Sequence, residues 1–142
     1  VARADTSGCI FCKIVRDEAP SFRVYEDALT LAFMDIAPVS DGHVLVITRE
    51  HFANIFEATP EALAAVAKSS LLVAGALREE LAPAGLAVAQ LNGEAAGQTV
   101  FHYHVHLIPR KPGDGFLMHG RGPGRPERLQ EIARALAARL QA

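Results

Sequence analysis

Gly97-Gln98-Thr99-Val100-Phe101-His102-Tyr103-His104-Val105-His106-Leu107-Ile108 is the stretch on which the reading of this chain turns. Alternate side chains of a strand face opposite sides. A strand from Val100 to Ile108 therefore puts His102, His104 and His106 on one face and Phe101, Tyr103, Val105 and Leu107 on the other. The apolar face can pack on a helix, which leaves three imidazoles lined up over about 13 Å at ~3.3 Å per residue. Packing does not require them, since Thr or Val makes a better strand, and a local rule broken this openly marks a site. All three on one metal is awkward, because next-nearest side chains of a flat strand splay apart instead of converging. Nucleophilic and acid–base chemistry fits better. A neutral imidazole can attack phosphorus when its other nitrogen is held by a hydrogen bond, and a second, protonated imidazolium can steady the phosphate charge. Just upstream, Gly93 and Gly97 permit close backbone approach, and N–H groups near Gln98 and Thr99 can line an anion site.

Working outward, Arg23 to Asp27 and Thr30 to Met34 read as short strands around a turn, and His43 to Thr48 as a buried strand. Thr59-Pro60-Glu61 is a helix start: a hydroxyl cap, proline in the first turn and an acid at the positive dipole end. That helix is expected to reach Leu81, burying Leu63, Val66, Ala67, Leu71, Ala74, Leu77 and Leu81. Leu86 to Leu91 reads as a strand, Asn92 to Thr99 as a loop, and Pro126 to Leu140 as a helix with Leu129, Ile132, Leu136 and Leu140 inward. Hairpin-like strands around one long helix predict an α+β fold with a mostly antiparallel sheet.

With 142 residues, the chain suits a single domain over 1–142 that buries a core without disulfide help. Its 50% hydrophobic and 21% charged residues exclude disordered and fibrous classes. A net charge of −2 gives no reason to expect a nucleic-acid partner, although seven basic residues against three acidic ones lie from Arg110 onward. The longest uninterrupted apolar run, Leu71 to Leu77, and a polar Val1 to Gly8 predict no membrane partner and a cytoplasmic location. Cys9 and Cys12 form a C-x-x-C pair, open to reading as a redox pair, half of a zinc site or two inert thiols.

His-Tyr-His-Val-His-Leu-Ile at 102–108 resembles the His-x-His-x-His-x-x signature of the histidine triad (HIT) superfamily. The likeness extends through Gly97-Gln-Thr-Val-Phe101, Cys9-Ile-Phe-Cys-Lys-Ile14, Val24-Tyr-Glu-Asp27, Ala32-Phe-Met-Asp-Ile36 and Gly42-His-Val-Leu-Val-Ile47 with His51 beyond. It covers about residues 8–116, leaving a helical tail over 117–142, and its order is similar to the Hint-like bacterial branch.

This resemblance implies a five-stranded sheet and a homodimer whose two sheets join, each protomer holding a purine nucleotide or nucleotide conjugate. It implies an enzyme that cleaves a nucleoside monophosphate from an amine or phosphate, like a phosphoramidase, through a covalent nucleotidyl-histidine. A dinucleoside polyphosphate hydrolase and a nucleotide- or zinc-binding regulatory module of little activity are the alternatives. By the same match His104 is the nucleophile, His106 contacts the α-phosphate, and His102 and His43 complete the catalytic set. Asp35 would hold the ribose, Phe11, Phe33 and Ile36 the base, and Gly97, Gln98, Thr99 and Val100 the phosphate. Leu91 stands where relatives of this kind carry asparagine, so either Asn92 takes over that contact or it is missing. Cys9, Cys12, His51 and His102 would bind a structural zinc, whereas His119 has no assigned role and reads as surface.

Overall fold

A computed structural model describes residues 6–141. Its sheet has the order β1(Arg23–Glu26)-β2(Thr30–Met34)-β3(Val44–Thr48)-β5(His104–Arg110)-β4(Gly85–Ala89), every neighbouring pair antiparallel. A short helix α1 (Ile10–Val15) precedes β1, the long helix α2 (Pro60–Leu81) links β3 to β4, and α3 (Pro126–Leu140) follows β5. The expected α+β fold with five antiparallel strands, one long helix and a C-terminal helix is the fold observed.

Strand alternation sorts two apolar layers. Val24, Ala32, Met34, Val44, Val46, Tyr103, Val105 and Leu107 face α2 and α3. Leu31, Phe33, Leu45 and Ile47 face the other way, against Phe11 and Ile14 of α1. Because His104 pairs with Ile47 and His106 with Leu45, both histidines stand on the α1 side.

The start of β5 differs from the expected Val100. Pairing with β3 ends at Ile47–His104 and pairing with β4 at Ala89–His106, so no ladder reaches further upstream. Residues 100–103 bend instead, with the Tyr103 N–H donating to the Phe52 carbonyl at 2.7 Å. Phe101 is consequently half-exposed and does not join the helix-facing layer.

Helix α2 begins as its sequence dictates, with Thr59 Oγ1 accepting from the Ala62 N–H at 3.1 Å and Pro60 opening the first turn. Its inward face is Val66, Ser69, Val73, Ala76 and Leu77. Ala67 and Leu71 are exposed, Leu71 at 74%, and point outward, correcting the expected stripe, which drifted at its centre. The inward Ser69 hydroxyl explains the drift: it bonds Thr30 Oγ1 at 2.6 Å and is a polar residue that an apolar-periodicity reading passes over. By length and composition alone α2 is also apolar enough to cross a membrane, a count the uninterrupted run Leu71 to Leu77 understated. Here its inner face packs on the sheet. On α3, Leu129, Ile132, Ala133 and Leu136 are buried and Leu140 is partly buried, in the expected pattern.

Candidate active site

Hydrogen bonds to fixed backbone groups decide the tautomer of each histidine. His104 Nδ1 lies 2.6 Å from the His102 carbonyl, which can only accept, so the ring proton sits on Nδ1 and Nε2 keeps its lone pair. The Val39 N–H donates to His43 Nδ1 at 3.0 Å, which puts the His43 proton on Nε2. That Nε2–H donates to His106 Nδ1, also at 3.0 Å, and so forces the His106 proton onto Nε2. The His106 Nε2 atom is buried and has no hydrogen-bond partner among the described residues. The pair thus offers one nucleophilic lone pair, on His104, beside one free N–H donor, on His106.

The rings follow one another along the wall: Phe11 to His104 at 5.1 Å, then His104 to His106 at 4.9 Å, each edge to face. Burial pushes His106 down to about 3 and His43 to about 4, with neighbouring imidazoles adding to both shifts. Burial lowers His104 as well. The three are therefore uncharged at neutral pH, the state a nucleophilic imidazole requires.

These groups open on a cavity of about 440 Å³ lined at one end by Ile10, Phe11, Phe33 and Ile36 and at the other by Thr99, Val100, His104 and His106. Asp35 lines the same cavity. Its Oδ1 accepts from the Ala37 N–H at 2.9 Å, and Oδ2 is 3.5 Å from His43 Nε2. Burial raises the Asp35 carboxyl, and the Ala37 bond opposes that shift.

Other candidates are held away from the cavity. Gln98 is buried, its Oε1 accepting from the Gly93 N–H and its Nε2 donating to the carbonyls of Ala53 and Val100. It fixes the loop that presents Thr99 and Val100. Gly97, at φ +98 where only glycine is comfortable, shapes the same loop. The Asn92 side chain is turned onto Gln90 and the Ile55 N–H, so it does not face the cavity as a replacement contact beside Leu91. His119, read from sequence as surface, is exposed, and it also lines the cavity and meets His106 edge-on at 5.7 Å.

His102 belongs to a second cluster on the far side of its own backbone. Its Nε2 donates to the Thr48 carbonyl at 2.6 Å, which leaves the Nδ1 lone pair facing Cys9, Cys12 and His51. His102 thus supplies the carbonyl that orients His104, and its ring stays outside the cavity. The Nδ1 atoms of His51 and His102 are 3.3 Å apart, and Cys12 Sγ is 3.2 Å from one and 3.5 Å from the other. A tetrahedral zinc ion has edges of about 3.3 Å between nitrogens and about 3.6 Å between nitrogen and sulfur. All four donor atoms lie within 4.8 Å of one another, so the set fits such an ion. Burial, then the neighbouring Cys9, push the Cys12 thiol up to about 11, so a bound cation is what would draw out a thiolate here. Asp35, His43 and His106 also lie together, but His43 and His106 already satisfy each other.

A HIT domain model matches residues 16–113. The chain belongs to the HIT family. Among its relatives, the "Protein hit" of Bacillus subtilis is 46% identical over 136 residues, covering 93% of this chain and 94% of that protein. The adenosine 5'-monophosphoramidase hnt1 of Schizosaccharomyces pombe is 40% identical, covering 87% of this chain and 90% of the other. A crystal structure of a Zn-bound histidine triad family protein from Mycobacterium smegmatis superposes with a TM-score of 0.84 at 38% identity, over 96% of each chain. This HIT chain matches these three proteins over nine-tenths or more of their own length.

Proposed function

We propose that this HIT protein is a nucleotide-binding hydrolase that cleaves a nucleoside monophosphate from an amine or phosphate leaving group through a covalent nucleotidyl-histidine. The observation that carries the reading is the pairing of tautomers: a lone pair on His104 Nε2 and, on the adjacent ring, a buried unpartnered donor at His106 Nε2. A binding module has no use for the first, and an apolar core has no use for the second.

In this reading Phe11, Phe33 and Ile36 take the base, Asp35 accepts from the ribose hydroxyls, and backbone N–H groups of Thr99 and Val100 meet the phosphate. His104 Nε2 attacks phosphorus, the P–N or P–O bond to the leaving group breaks, and an amine leaves with a proton from solvent. His106 donates to a non-bridging oxygen as charge builds there. The nucleotidylated His104 ring is cationic, and its Nδ1–H bond to the His102 carbonyl spreads that charge. Water then attacks phosphorus, returns the electron pair to Nε2 and releases the nucleotide. Similarity to the fission-yeast monophosphoramidase supports an adenosine phosphoramidate as substrate.

Two further assignments belong to the same reading. Cys9, Cys12, His51 and His102 hold zinc, which ties α1 to the sheet and stays out of the reaction because all four positions are filled by protein. A second copy pairs along β4, a sheet edge unpaired among the described residues with Val88 exposed.

The deciding experiment is release of AMP from adenosine 5'-phosphoramidate, with mass spectrometry of the quenched enzyme. Turnover with a mass increase of one nucleotidyl group, both lost in His104→Ala, is expected. Turnover that persists in His104→Ala would overturn the mechanism.

A further inference from the structure

Thr99 and Val100 line the cavity, and their backbone N–H groups have no protein partner among the described residues. Neighbouring free amides of this kind suit an anion. The bonds on either side of them are all made. Downstream, the Val100 carbonyl accepts from Gln98 Nε2 at 3.1 Å. Upstream, the Gln98 N–H donates to the Gly93 carbonyl at 3.1 Å, and the Gly97 carbonyl accepts from His119 Nε2 at 2.8 Å.

These last two bonds hold opposite ends of one peptide unit, the one between Gly97 and Gln98. Such a unit is planar, so its C=O and N–H turn together. Beside a glycine that turn meets little steric resistance, and Gly97 already stands at φ +98. A bond at one end leaves the plane a pivot, whereas a bond at each end fixes it. His119 makes the second bond, and it is the only partner of the Gly97 carbonyl among the described residues.

His119 is itself held from both sides in sequence. Before it, Arg110 Nη2 donates to the Leu117 carbonyl at 2.5 Å. After it, Gly120 packs against the Ala37 carbonyl with no room for a Cβ, and the Gly124 N–H donates to the Ile36 carbonyl at 2.7 Å. Because a carbonyl can only accept, His119 donates from Nε2–H, a bond that needs no charge on the ring.

We propose that His119 is a positioning residue of the phosphate subsite: by holding the Gly97 carbonyl it fixes the loop whose Thr99 and Val100 amides receive the phosphate of a bound nucleotide. This inference rests on the nucleotidyl-transfer reading above. It asks only for the Nε2–H donor, not for contact between the imidazole and substrate. The ring also meets His106 edge-on at 5.7 Å, a packing role from which the hydrogen bond can be separated by substitution.

The test is calorimetry with AMP and with adenosine on wild type, His119→Gln, His119→Asn and His119→Ala. The two ligands share base and ribose, so the ratio of their affinities reads the phosphate contacts. The glutamine amide N–H reaches about as far as Nε2–H, and that of asparagine falls short. His119→Ala and His119→Asn are expected to bind AMP about tenfold more weakly with adenosine unchanged, whereas His119→Gln stays within about twofold of wild type, the scale of one hydrogen bond. The kcat/KM for adenosine 5'-phosphoramidate should follow the same order. An AMP-to-adenosine ratio unchanged in His119→Ala would overturn the proposal. So would a His119→Gln variant as impaired as His119→Ala, which would assign the loss to packing on His106. If wild type binds both ligands and these results follow, only the role of His119 falls. If wild type binds neither AMP nor adenosine, the nucleotide reading falls and this inference with it.

Discussion

His43 and His106 are joined by a single hydrogen bond of 3.0 Å whose direction is set four residues upstream of His43, at the Val39 N–H. Because that amide occupies His43 Nδ1, His43 donates, His106 accepts, and the His106 proton is left on the nitrogen that no protein group satisfies. Removing His43 should release that constraint without touching the pocket. His43→Ala is expected to lower kcat about ten- to hundredfold, the range for a lost buried partner, and to leave KM nearly unchanged. His43→Gln, whose amide can donate to His106, should recover part of the loss in steady-state assays.

The same burial makes the fold acid-labile. His43 and His106 sit at about 4 and about 3, below the ordinary histidine value near 6.5. Between pH 6.5 and 4 the unfolded chain binds more protons than the folded one, so stability falls as pH drops through this window and is flat above it. At pH 5 each histidine contributes a loss on the order of 2 kcal/mol. Urea midpoints at pH 7.5 and 5.0 should therefore differ, and His106→Gln should lessen the difference.

How much of this was readable beforehand follows from the kind of signal. Val105 and Leu107, alternating with His104 and His106, disclose both faces of β5, and Thr59-Pro60-Glu61 discloses the start of α2, because each signal is local. The split of the triad was not local. His102 leaves the row of imidazoles because β3 and β4 both stop pairing before it, which depends on where two distant strands end. The place of His119 at the cavity was unread for a similar reason: it depends on Gly120 and Gly124 docking against Ala37 and Ile36, more than eighty residues earlier in the chain. Asn92 erred the other way, a polar side chain in the right loop but satisfied by Gln90 and Ile55.

Zinc at the Cys9, Cys12, His51 and His102 cluster makes a stoichiometric prediction. Metal analysis of the purified protein should give about one zinc per chain, the content of a closed four-ligand site. Cys12→Ser should lose it and lower the melting temperature. Because the His102 carbonyl also holds His104 Nδ1, metal loss should depress kcat as well, although no ligand ring reaches the cavity. A variant free of zinc that keeps full kcat would separate the two clusters.

Ala82 closes α2 in the left-handed region, φ 45 and ψ 52, its N–H donating to the Arg78 carbonyl. A side chain there costs about 1 kcal/mol relative to glycine. Ala82→Gly should raise stability by roughly that amount, since glycine is the residue that favours this cap. Chemical denaturation with an unchanged m-value is the check, and activity should stay at the wild-type level because the cap is remote from the histidines.

Gly120 gives the opposite expectation. A Cβ at this position would meet the Ala37 carbonyl oxygen at 2.1 Å, and backbone cannot swing aside as a side-chain tip can. Residues 119–124 are held by the His119–Gly97 and Gly124–Ile36 hydrogen bonds and lie outside the packed core, so lifting them should cost the fold little. It should cost the pocket more, because the Asp35 turn and the Gly97 loop lose their bridge together. Gly120→Ala is therefore expected to leave the melting temperature within a few degrees of wild type. KM for a nucleotide substrate should rise several-fold, since positioning of the bound substrate is what the bridge secures. Equal losses in stability and affinity would mean that this segment is part of the core instead of a support for the site.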